Sequence, residues 1–245
     1  MQIITKDIDI RVHDSLMRIY LAHPRPEGKY PGILFYSEIF QLTAPIRRAA
    51  ERLAGHGFVV AAPEIYHRIE RPGVVIPYDD IGRMWGMEDA RKTAVAEFDA
   101  DSRATLDYLK SHPNVSGKLA AMGFCIGGHL AWRAALQPDV LAAVCCYPTG
   151  VHNGKVGKDE DSRTLARLND IKGEMLIFFG SIDPHVSPEA RNIIAGALAA
   201  STVKYTIRMA PGEHAFMRDE GPRYDPQAAD AVWSEAIAFF QRRLA

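Results

Sequence analysis

The sequence predicts an α/β fold, a mostly parallel sheet of about seven or eight strands with helices on both faces. Three observations predict it. Apolar runs of strand length recur along the chain, and helix-length segments lie between them. Several of the runs are apolar throughout rather than alternating, as strands buried on both faces require.

The start, MQIITKDIDIR, alternates apolar and charged residues and has no apolar core of signal-peptide length. The strand candidates are MRIYLA (17–22), GILFYSE (32–38), FVVAAPE (58–64), KLAAMGFC (118–125), LAAVCCY (141–147), EMLIFFG (174–180) and VKYTIRM (203–209). A helix is expected over 44–55, stopping at Gly55 or Gly57, and a longer, more charged one over 87–111. Shorter helices are expected over 127–137 and 188–200, and 226–243 closes the chain. Ser187-Pro188 and Asp225-Pro226 are each an N-cap followed by a first-turn proline. Residues 65–86 and 148–172 are rich in Pro and Gly and are expected to stay irregular. Both follow strands, on the carboxyl edge where open α/β sheets place their ligand crevice.

Composition excludes several function classes. Of 245 residues, 29 are basic and 30 acidic, so the net charge of −1 leaves no electrostatic footprint for nucleic acid or an anionic membrane surface. No uncharged apolar stretch reaches the ~18 residues of a membrane span. Three cysteines, two of them adjacent at 145 and 146, make no disulfide framework and fit a reducing cytoplasm. No repeat or linker divides the chain, so residues 1–245 are expected to form a single domain, in a monomer or small homo-oligomer. The nine histidines form no H-E-x-x-H, and neither C-x-x-C nor a phosphate-binding P-loop occurs, so no metal or cofactor is expected.

The central motif is Gly123-Phe124-Cys125-Ile126-Gly127-Gly128, where a buried strand ends and a helix begins. G-x-C-x-G is the cysteine form of the nucleophile elbow. A side chain at so sharp a turn has neighbours close on both sides, and flanking glycines leave room for them. The helix N-terminus beneath it favours a thiolate and a developing oxyanion. Taken alone, the motif is equally a tight turn around an inert cysteine. Asp183, after EMLIFFG, and His214, after VKYTIRM, complete the order nucleophile, acid, histidine, each just past a strand's carboxyl end. Cys145 and Cys146 lie within a buried strand and read as small core residues.

With these residues the chain resembles the dienelactone hydrolases (carboxymethylenebutenolidases), a cysteine branch of the α/β-hydrolase fold. The resemblance rests on Ser37-Glu38-Ile39-Phe40, Pro63-Glu64-Ile65-Tyr66, Gly123 to Gly128, Asp183-Pro184-His185, and His214-Ala215-Phe216 with Arg218. It implies Cys125 as nucleophile, His214 as general base and acid, and Asp183 as the residue that orients His214. It implies that Glu38 contacts the nucleophilic thiol and that the N–H groups of Ile39 and Ile126 form the oxyanion hole. Arg218 matches an arginine that binds a substrate carboxylate; the bland alternative is an exposed arginine paired with Asp219 or Glu220. Arg83 lies near the register of a second such arginine, with Arg91 and Lys92 as competitors. His67, His152 and His185 could line the crevice or be ordinary loop histidines. The loop 65–86 and Tyr147-Pro148-Thr149-Gly150 depart from the family pattern, which leaves the substrate more open than the chemistry.

The expected activity is therefore hydrolysis of a small-molecule lactone or ester, dienelactone-type, through an acyl-enzyme. A general carboxylesterase or thioesterase on the same machinery is the enzyme alternative. A non-catalytic binding relative of the fold is the other.

Overall fold

The alternating N-terminal segment pairs with the run that follows it. In the computed structural model, which describes residues 1–245, β1 (Ile3–Val12) and β2 (Ser15–Pro24) form an antiparallel hairpin at the sheet edge. β3 (Tyr30–Tyr36), β4 (Val59–Pro63), β5 (Val115–Phe124), β6 (Val140–Cys146), β7 (Glu174–Gly180) and β8 (Lys204–Ala210) run parallel to one another. The eight strands are ordered β1-β2-β4-β3-β5-β6-β7-β8. β3 and β4 are buried along nearly their whole length, which explains their unbroken apolar sequence.

Two apolar layers flank the sheet. On one side α1 (Ala44–Gly55) and α6 (Pro226–Arg243) bury Ile46, Leu53, Trp233 and Phe240. On the other, α3 (Val95–Ser111), α4 (Ile126–Ala134) and α5 (Pro188–Ala199) bury Phe98, Leu109, Leu130, Trp132 and Ile194. Strand residues alternate between the layers, so Ala121 faces one and Met122 the other. Ser187 and Asp225 cap α5 and α6 through bonds to the N–H groups of Ala190 and Ala228.

One expectation is corrected. The helix over 87–111 is two helices, α2 (Asp80–Lys92) and α3, and α2 begins inside the segment expected to be irregular. Thr93 and Ala94 are extended and break the run. The Glu97 side chain accepts the Ala94 N–H, and Asp159 from a distant loop accepts that of Val95. The glycines that made 80–86 look like loop serve packing. A Cβ on Gly86 would lie 2.3 Å from the Ile39 carbonyl oxygen, so only glycine lets α2 settle there.

The register gathers the loops that matter. Tyr36 pairs with Gly123, and Phe124 with Cys146, so the segments after β3, β5 and β6 leave the sheet side by side. Gly180 pairs with Ala210, which sets the loops after β7 and β8 together on the same edge. No helix is long and apolar enough to cross a membrane.

Candidate active site

Cys125 joins β5 to α4 with φ 59° and ψ −122°, a conformation that costs a non-glycine residue about 1–3 kcal/mol. The surrounding backbone enforces it. A Cβ on Gly123 would lie 2.0 Å from the Gly127 oxygen, and one on Gly127 would lie 2.2 Å from the Ser37 oxygen. The Cys125 carbonyl accepts the N–H groups of Gly128, His129 and Thr149, and its own N–H donates to Cys146. The side chain is half-buried at the crevice, whereas Cys145 and Cys146 are fully buried and burial pushes both thiols up.

His214 and Asp183 meet across the crevice. Both side chains are buried, and Nδ1 of His214 donates to Oδ2 of Asp183 over 2.8 Å. Oδ1 of Asp183 accepts the N–H groups of His185 and Val186, at 2.7 and 3.3 Å. Burial alone pushes Asp183 up; bonds from His214 and the His185 backbone outweigh it and hold the carboxyl below its ordinary range. Burial likewise works against charge on His214, but neighbouring Cys125 and Asp183 overcome it and push the imidazole up to about 10. His185 stacks edge-on to His214 at 4.7 Å and is held down by burial and by that charge.

Glu38 is buried, and Oε2 lies 3.5 Å from Nη1 of Arg218 without a hydrogen-bond partner. Burial raises its carboxyl, and Arg218 and His214 restrain the rise. No hydrogen bond joins Glu38 to Cys125, whose sulfur has the Thr149 hydroxyl at 4.0 Å. A carboxylate taken out of water turns to the nearest cation. Arg218 is itself mostly buried, with its guanidinium 4.1 Å from the centre of the Tyr78 ring. Asp219 pairs with Arg48, and Glu220 offers Arg218 only its backbone carbonyl, so the exposed alternative is overturned.

Ile39 and Ile126 line one cavity of about 520 Å³ together with Met87, Arg91, Thr149 and Lys155. Neither isoleucine N–H donates a hydrogen bond within the protein. Arg83 is half-exposed on the first turn of α2, 3.7 Å from Asp80, and close enough to His185 to disfavour its charge. Arg91 and Lys92 both pair with Glu88. Sequence reasoning missed Thr149 and its buried neighbour His129. The available signal was that Thr149 follows β6 and His129 sits in the first turn of α4, which follows the adjacent β5.

His67 does not line the crevice. It is buried between Ser15, 2.9 Å from Nδ1, and Asp101, 3.1 Å from Nε2. This resembles a second Ser-His-Asp set. Arg68 donates to both oxygens of the Asp101 carboxylate, at 2.8 and 2.7 Å, and the cluster pins the hairpin to α3.

The fold is that of an α/β-hydrolase, and the family match and relatives make the chain a carboxylic ester hydrolase acting on a lactone or ester. The model of the dienelactone hydrolase family matches residues 17–244. A Saccharomyces cerevisiae protein named "Putative carboxymethylenebutenolidase" is 36% identical over 95% of this chain and 89% of its own length. The carboxymethylenebutenolidase of Pseudomonas sp. strain P51 is 28% identical over 88% of this chain and 86% of its own. A crystal structure described as a "Putative Dienelactone Hydrolase" from Klebsiella pneumoniae superposes with a TM-score of 0.86 at 26% identity, covering 98% of this chain and 99% of that one. The chain belongs to the dienelactone hydrolase family.

Proposed function

We propose that the protein hydrolyses its lactone or ester by nucleophilic catalysis from Cys125, with His214 and Asp183 as partners and no cofactor. The observation that carries this reading is the strained Cys125 at a helix N-terminus, near enough to His214 to raise its imidazole, which a buried carboxylate holds. Asp183 fixes the proton on Nδ1 and stabilises the imidazolium, so Nε2 is the atom that exchanges protons. The thiolate attacks the substrate carbonyl, and the N–H groups of Ile39 and Ile126 hold the oxyanion. Collapse breaks the C–O bond, His214 protonates the leaving alkoxide, and the acyl group stays on sulfur. His214 then takes a proton from water, the hydroxide adds to the thioester, and collapse returns the acid and the thiolate.

A dienelactone-type substrate carries a carboxylate, and Arg218 with Arg83 across the crevice are the proposed cations for it. The named relatives support this class. Because Glu38 already occupies Arg218, a neutral ester or thioester is the second reading. Hydrolysis assays over a dienelactone, p-nitrophenyl esters and thioesters decide between them. Cys125→Ala should abolish turnover in a folded protein, and wild-type turnover by that variant would overturn the mechanism.

A further inference from the structure

We propose that the Thr149 hydroxyl is a hydrogen-bond donor to the Cys125 thiolate, and that His129 is a positioning residue that holds Thr149 in place for it. The proposal rests on Cys125 being the nucleophile.

Thr149 is clamped at both backbone groups. Its N–H donates to the Cys125 carbonyl at 3.3 Å, and its carbonyl accepts from Nδ1 of His129 at 2.9 Å. Its hydroxyl lies 4.0 Å from the Cys125 sulfur, with no other partner in the protein. The residue also lines the cavity that Ile39 and Ile126 line. A neutral thiol is a poor acceptor and a thiolate a strong one, so this long resting contact is one that tightens on ionisation.

The proton directions behind Thr149 are fixed by chemistry. A carbonyl can only accept, so Nδ1 of His129 carries the proton and Nε2 accepts from the Thr164 hydroxyl at 2.8 Å. Having donated there, Thr164 accepts from Nη1 of Arg133 at 3.0 Å and from the Ser162 hydroxyl at 2.9 Å. Arg133 in turn grips Asp99 through Nε and Nη2 at 2.9 and 2.6 Å. Arg133 Nη1 also donates to the Ser162 carbonyl at 2.7 Å, and this network fixes the ring of His129 behind Thr149. Burial holds His129 down to about 3, so the brace stays neutral at working pH and never switches.

The test compares iodoacetamide alkylation of Cys125 with ester hydrolysis. Thr149→Val keeps the shape and removes the donor. It should slow alkylation and lower kcat/KM about tenfold, the size of one bond to a charged acceptor. Thr149→Ser should restore both to within about twofold, a rescue that a merely structural role would not give. His129→Leu should shift both readouts in the direction of Thr149→Val. If that variant does not fold, the Thr149 pair decides alone. A folded Thr149→Val that alkylates and turns over like wild type overturns the proposal. Alkylation reads the thiolate independently of ester hydrolysis. Failure of the nucleophile reading would appear separately, as hydrolysis surviving in Cys125→Ala.

Discussion

Glu38 and Arg218 come from opposite ends of the chain and meet as a buried ion pair, Oε2 to Nη1 3.5 Å, beside the His214 imidazole. The guanidinium has no carboxylate partner other than Glu38. Any substrate carboxylate that binds Arg218 therefore competes with Glu38, which makes this pair the hinge between the two substrate readings.

Arg218→Ala should lower kcat/KM for a carboxylate-bearing lactone by roughly 30-fold to several thousand-fold, the usual cost of losing one partner of a buried charged contact. A neutral ester of similar size should be nearly unaffected. Steady-state kinetics on both substrates check this. An equal loss on both would mean that Arg218 supports the loop rather than the substrate.

Glu38→Gln should change how stability depends on pH. The folded carboxyl lies above its ordinary 4.5, chiefly through burial, so the native state holds a proton that the unfolded chain releases first. Wild type is therefore favoured below pH 4.5 and loses that advantage as the pH rises through the raised folded value. The variant lacks this loss. Urea midpoints across pH 4 to 8 should move in favour of Glu38→Gln, with a slope of at most about 1.4 kcal/mol per pH unit. Parallel curves would place Glu38 in contact with solvent.

In Cys125→Ala the His214 imidazole should titrate well below about 10. Burial, which opposes its charge, remains in the variant, as does Asp183, while the contribution of the sulfur is gone. NMR titration of the ring in both proteins reads this directly. An unchanged value would make Asp183 the sole cause of the shift.

Gly86→Ala should lower turnover without unfolding the protein. The added Cβ falls 2.3 Å from the Ile39 carbonyl oxygen, so α2 or the Ile39 backbone must move. A shift of Ile39, the proposed oxyanion donor, by a few tenths of an ångström weakens transition-state stabilisation, and a loss of about tenfold in kcat is expected, less than the 10²–10³ of deleting a donor. Matching thermal unfolding with reduced kcat would show it, and unchanged kcat would remove Ile39 from the site.

Much of the architecture was legible in the chain. The parallel strands were visible because burial on both faces leaves them unbroken apolar sequence, as in β3 and β4. The elbow was visible because a residue at φ 59° packed against two backbone segments admits almost nothing but glycine on either side. Asp183 and His214 were visible because strand ends on one sheet edge must converge once the strands are parallel. α2 was hidden because Gly82 and Gly86, the residues that dock it, imitate a loop in one dimension.

The sequence by itself determined the fold class, the elbow and the order of its partners, since each is set by local backbone sterics and by the period of apolar residues. The tertiary structure alone decided the partners of the buried polar groups. Glu38 paired with Arg218, His67 went to the hairpin, and His129 reached through Thr149 to Cys125. A buried polar group must find a complement wherever the packed chain offers one, and that choice depends on distances in space that no spacing in the sequence records.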